Sequence, residues 1–118
     1  LLTEGCADPY GPKTVRAAMG ALFRSRPGRI SRETLIRQCR KSGVLLLAAA
    51  LSDSASDIRR APVREAAVVI GSEGQGVSRV LIEASDGQII IPMTPRCESL
   101  NAAAAAAIVL WQMADLPG

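Results

Sequence analysis

A chain of 118 residues with 48% hydrophobic side chains is long enough for one packed domain and too short for two of ordinary size. Aromatics make up only 3%, so the core must be built from Ala, Val, Leu and Ile. With no His, and with Cys6, Cys39 and Cys97 forming no C-x-x-C pair, the composition argues against a zinc or other metal site, a disulfide framework and a His-assisted nucleophile. The net charge of +3 is unevenly spread. Residues 1–41 carry nine basic side chains against three acidic, whereas residues 42–118 carry five against eight. Seven of the first nine are Arg, which pairs with phosphate in a planar, bidentate manner, so the stretch reads as a polyanion-binding face or as a solvated surface. The longest apolar run, Ala102–Trp111, is about half the ~20 residues of a membrane helix. No secretory signal is visible, and unpaired cysteines suit a reducing cytoplasm. The chain opens on Leu1, inside a strand or just before one, which reads as a piece of a longer protein.

In chain order, Asp8–Pro12 is rich in turn formers, and Pro12 suits the first turn of a helix expected to run from Lys13 to Phe23. Pro27-Gly28 breaks it. Ser31 is a candidate N-cap for a second helix with Leu35, Ile36 and Cys39 as its buried stripe. Arg40, Lys41 and Gly43 supply the C-terminal charge and stop. Val44–Ala48 and Ala66–Ile70 are continuous apolar runs, as in strands buried on both faces of a parallel sheet. Ser52–Ser56 reads as a polar loop. Gly71–Gly76 is a glycine-rich loop before a short helix at Ser78–Ala84. Asp86-Gly87 turns into a third strand, Gln88–Ile91, which Pro92 ends. An Ala-rich helix follows from about Leu100 to Met113, with six consecutive alanines that let other segments come close on any side. Strands alternating with helices indicate an α/β architecture.

Two loops carry the candidate chemistry. Gly71-Ser72-Glu73-Gly74-Gln75-Gly76 follows a buried strand, where open parallel sheets bind ligands beyond their strand ends, and its glycines permit close backbone approach. Its G-x-x-G-x-G spacing matches neither the dinucleotide fingerprint nor the phosphate loop, so a plain flexible connection is the competing reading. The second loop is Ile91–Asn101. Ser99 or Glu98 is placed to cap the last helix, with Asn101 in its first turn. A Ser and an Asn two apart at a helix start also aim a hydroxyl, an amide and free N–H groups at one point.

Together these segments resemble the SpoU/TrmH family of SPOUT methyltransferases. VVIGSEGQGVS is similar to that family's second motif and IIIPMTPRCESLNAAAAAAIVLW to its third, while CADPYGPKTVRAAMGALF resembles the segment between its first and second motifs. The resemblance implies one domain over residues 1–118, a parallel-sheet three-layer α/β/α fold with a C-terminal trefoil knot, and a homodimer. It implies S-adenosylmethionine as cofactor, held by Ala50, Leu51, Gly71, Ile91, Met93, Ser99 and Leu100. It places Glu73, Ser99 and Asn101 at the reacting end. Arg16 matches a basic position, and with Lys13, Arg24 and Arg26 it would face RNA. The first motif, which carries an Arg tied to activation of the ribose hydroxyl, has no counterpart before Asp8, so the N-terminal strands and that motif are expected to be missing and the piece inactive by itself.

The implied reaction is methylation of a ribose 2′-hydroxyl in structured RNA, ribosomal RNA ahead of transfer RNA, in the cytoplasm. It needs positioning and proton removal, with neither metal nor His. A non-catalytic RNA-binding or assembly module of the same fold is the alternative, and it predicts RNA binding without cofactor. An enzyme acting on a small nucleotide is a third reading, and it predicts little dependence on salt.

Overall fold

The structure, a computed structural model, describes residues 1–96 and 100–114; Cys97, Glu98 and Ser99, and with them the roles expected of Ser99, lie outside the described residues. Residues Leu1–Leu35 form one compact unit and the chain from Ile36 onward a second.

The first unit is tied by its own ends. Leu2 forms a parallel bridge with Arg29, donating to the Gly28 carbonyl at 2.8 Å and accepting from Ile30 at 3.0 Å. Helix α1 spans Pro12–Ala17, opened by the proline as its ring geometry favours. It does not continue to Phe23. Met19 and Gly20 adopt positive φ (49° and 84°), and the chain resumes as a 3-10 turn over Ala21–Arg24. Gly20 takes that conformation without a Cβ penalty, which interrupts a helix whose side-chain pattern alone would have carried on. Helix α2, Arg32–Ser42, starts after Ser31 as expected, with the Ser31 Oγ accepting from the Thr34 N–H at 3.1 Å. Glu4 adds a second anchor. Its Oε1 accepts from the Arg32 N–H at 2.7 Å, and its carboxylate pairs with the Arg32 guanidinium at 3.5 Å.

In the second unit α2 ends on Gly43, at φ 69°, and the Val44 N–H closes back on the Cys39 carbonyl at 3.0 Å. Cys39 is the one buried residue of the expected stripe; Leu35 and Ile36 are half-buried. Four parallel strands follow: β1 (Leu45–Ala49), β2 (Ser56–Asp57), β3 (Ala66–Ile70) and β4 (Gly87–Ile90), in the order β2-β4-β1-β3. Strand β4 therefore inserts between two earlier strands, pairing Leu47 with Gly87 on one side and Ser56 with Ile89 on the other. The tiny β2 lies where a polar loop was expected, because two residues leave no readable alternation.

Strand β1 meets the expectation of burial on both faces at Leu46, Leu47 and Ala48. Strand β3 does not: all five of its residues are only half-buried, because it is the sheet's outer strand beside β1. Helix α3 spans Arg79–Ala84 and helix α4 Ala102–Met113. Leu47, Ile58, Val63, Ile89 and Val109 form the core, so α4 closes one face of the sheet through a single deeply buried Val. Of the alanine run, Ala103, Ala104 and Ala107 are exposed in the single chain, and Leu110 and Trp111 farther along are 63% and 72% exposed.

Asp86 fastens the start of the central strand. Its Oδ2 accepts from the Leu46 N–H at 2.8 Å, and its own N–H donates to the Leu46 carbonyl at 2.7 Å. Asp86→Ala should cost about 1–3 kcal/mol in urea unfolding, because the part-buried Leu46 N–H loses its acceptor. At the end of β2, hydrogen bonds from the Arg59 side chain and backbone hold the Asp57 carboxyl at about 2, below its ordinary 3.8. The charged form thus stabilises the fold above pH about 4, and that contribution drains as pH falls toward about 2. Melting curves should show Asp57→Asn losing less stability than the parent across that window.

Candidate functional site

The carboxyl ends of β1, β3 and β4 open into one cavity of about 670 Å³, within the range of small-molecule sites. Three segments supply its floor and rim: Ala49–Leu51 after β1, Gly71–Val77 after β3, and Ile89–Ile91 with Met93 along and after β4. Leu100, Asn101 and the inward side of α4 close it. The arrangement follows from the sheet order. Parallel strands release their chains on the same edge, and inserting β4 beside β1 brings the third loop against the first two.

The loop after β3 folds back on itself. The Gly76 N–H donates to the Ser72 carbonyl at 2.9 Å, the Gln75 N–H donates to Ser72 Oγ at 3.3 Å, and Gly76 sits at φ 68°. A Cβ on Gly71 would run into the backbone of Gly76 and Val77. The sequence reading gave this glycine to close approach of a ligand. The structure shows that its nearest neighbour is the loop's own return strand, so the missing side chain is first a condition for the loop to close.

That closed loop delivers Glu73 to the start of α4. Asn101 is the N-cap of this helix, not a residue of its first turn: its Oδ1 accepts from the N–H groups of Ala103 at 2.9 Å and Ala104 at 3.2 Å. Its Nδ2 donates to Glu73 Oε1 at 2.7 Å, and the Ala102 N–H approaches the same oxygen at 3.4 Å. A carboxylate beside a helix N-terminus is favoured by the helix dipole. Glu73 is the one ionisable side chain in the lining among the described residues.

The predicted residues sort clearly. Ala50, Leu51, Gly71, Ile91, Met93 and Leu100 all line the cavity, together with Glu73 and Asn101. Lys13, Arg16, Arg24 and Arg26 are exposed and belong to the first unit, whereas the lining comes wholly from the second. Gln75, Val77, Ile82 and Ala105 also line the cavity and were not singled out. The signal for Ala105 was its position one helical turn beyond Asn101, and Gln75 and Val77 lie in the motif around the glycine-rich loop; nothing in the residues around Ile82 marked it. Burial pushes the Cys39 thiol up and Asp86 adds to the shift, which disfavours the thiolate form.

The profile of the SpoU rRNA Methylase family matches residues 1–111. The chain belongs to that family. Among its relatives, the 23S rRNA (guanosine(2553)-2′-O)-methyltransferase RlmP of Bacillus subtilis is 32% identical over 114 residues, which is 96% of this chain and 46% of that protein. The AdoMet-bound rRNA methyltransferase of Sinorhizobium meliloti superposes with a TM-score of 0.83 at 32% identity, over 95% of this chain and 43% of the other. The SpoU methyltransferase AviRb of Streptomyces viridochromogenes, solved in complex with AdoMet, gives 0.83 at 27% identity, over 95% and 47%. The chain thus spans less than half the length of these family members. Its parallel-sheet α/β fold is theirs.

The loop geometry makes a direct prediction. Gly71→Ala should destabilise the second unit by ~1–3 kcal/mol or more, since overpacking against backbone cannot be relieved by a rotamer change. Chemical denaturation measures it.

Proposed function

We propose that this chain is the cofactor-binding part of an S-adenosylmethionine-dependent RNA methyltransferase that modifies a ribose 2′-hydroxyl, ribosomal RNA being the preferred substrate. The observation that carries the reading is the cavity at the strand ends, where the six described candidate cofactor residues and the Glu73–Asn101 pair share one lining. The cofactor fits what the lining offers. The volume suits a nucleoside joined to an amino acid, the apolar side chains of Leu51, Ile91, Met93 and Leu100 suit an adenine face, and the backbone of the loops offers polar groups at its edge.

When bound, S-adenosylmethionine supplies an electrophilic sulfonium methyl. The chain's task is to hold the acceptor oxygen in line with it and to keep water out. Met93 lines the cavity after β4, Leu100 before α4, and the folded-back loop at Gly71 after β3. Glu73, Ser99 and Asn101 form the polar end in this reading. Lys13, Arg16, Arg24 and Arg26 would grip phosphates, with binding that weakens steeply as salt rises.

The same reading carries the rest of the family's architecture as proposals: a single domain over residues 1–118, a homodimer, a cytoplasmic setting and a trefoil knot. Insertion of β4 between β1 and β2, followed by the contact of Glu73 with the start of α4, supports a threaded C-terminal segment. No described helix is long and apolar enough to cross a membrane. Because the relatives are more than twice as long, turnover is to be measured in a chain of full family length.

Titrating this chain with S-adenosylmethionine in a calorimeter should give one saturable site per chain. A folded chain that binds RNA but no cofactor would instead support an RNA-binding or assembly module. In the full-length context, mass analysis of digested ribosomal RNA should place the new methyl on ribose; a methyl found only on base atoms would sink the 2′-O assignment.

A further inference from the structure

The hydrogen bonds around Asn101 fix more than the start of a helix. An amide carries one acceptor oxygen, with two lone pairs, and two N–H donors. The Ala103 and Ala104 N–H groups are both donors, so only the oxygen can face them, and they occupy both of its lone pairs. The nitrogen must then point the other way, toward Glu73, and one of its two hydrogens is committed to Glu73 Oε1. That leaves Asn101 with a single uncommitted group among the described residues, one N–H, at a residue that is exposed and lines the cavity. It has no lone pair left with which to take a hydroxyl proton or accept a hydrogen bond.

Glu73 is what keeps the amide from swinging. Without it the oxygen would still cap α4, but the nitrogen would have no partner, and the side chain could trade its cap for water. The loop that carries Glu73 is itself held shut by Ser72 and Gly76, so the carboxylate is presented from a fixed base.

We propose that Asn101 meets the bound ligand as a hydrogen-bond donor only, through its one free N–H, and that Glu73 is a positioning residue acting through Asn101. This rests on the cofactor reading above and specifies it: the atom that Asn101 contacts is a hydrogen-bond acceptor of the ligand, and the proton lost by the ribose hydroxyl goes to a different group.

Isotope-labelled chain and S-adenosylmethionine test both halves. In the ligand-free protein the two Asn101 side-chain protons should differ, one exchanging slowly with water and one quickly. Glu73→Ala should abolish the slow proton and weaken cofactor binding roughly tenfold, the worth of one well-placed hydrogen bond, while Glu73→Gln, which keeps an acceptor oxygen and removes only the charge, should recover most of that loss. Saturating cofactor should slow the second proton. Asn101→Asp keeps the cap but has no N–H and sets two carboxylates together, so it should lower both melting temperature and affinity. In E73Q/N101D the new amide can donate to the new carboxylate; melting temperature should return while affinity stays roughly tenfold down.

The proposal is overturned if E73Q behaves like E73A, which would make the charge itself the functional feature, or if E73Q/N101D regains affinity along with stability. Two equally fast protons in the ligand-free chain would overturn the lock whatever the cofactor does. A slow proton in a chain that binds no S-adenosylmethionine would instead reject the cofactor reading and leave the lock supported.

Discussion

The bond from Asn101 to Glu73 joins two segments that the chain keeps far apart, and each partner is set by something else. Asn101 is aimed by the first turn of α4, whose open N–H groups take its oxygen. Glu73 is aimed by a loop that can close only because position 71 has no side chain. Together Asn101 and Glu73 form part of the cavity lining where the loop after β3 meets the start of α4. Most other lining residues are apolar and reach their places simply by following a parallel strand out of the sheet; this pair instead depends on geometry agreed between two loops.

The same dependence explains what could be read from the residues and what could not. The apolar runs at Val44–Ala48 and Ala66–Ile70 announced their strands, observed at Leu45–Ala49 and Ala66–Ile70, and the Arg40-Lys41-Gly43 sequence announced the end of α2, because each signal is local. The α1 boundary was misread because a left-handed Met19-Gly20 pair leaves no mark in a hydrophobic pattern. Strand β2 was missed for want of length, and β3 was taken as buried because composition does not say which strand ends up outermost.

At the site the balance was similar. Gly71, Ile91, Met93 and Leu100 were legible because the motifs they sit in have a recognisable pairing and spacing. That Asn101 would be the cap was not, since Ser99 and Asn101 are both good capping residues and residue type alone does not choose between them. Ile82 reaches the cavity from helix α3, which none of the motifs marked as part of a site.

Inserting β4 between β1 and β2 also imposes an order of assembly. Leu45 pairs with Ala66 across a nearer stretch of chain than separates β2 from β4, so β1 and β3 are able to pair before β2 does. Strand β2 has no neighbour until β4 arrives, because its only partner in the sheet is synthesised more than thirty residues later. Contacts of such separation form slowly. The cavity, whose walls need β4 and α4, is therefore among the last parts to exist. A chain that has emerged only through β3 would already own half of its sheet while still lacking the strand and helix that complete the cavity's walls.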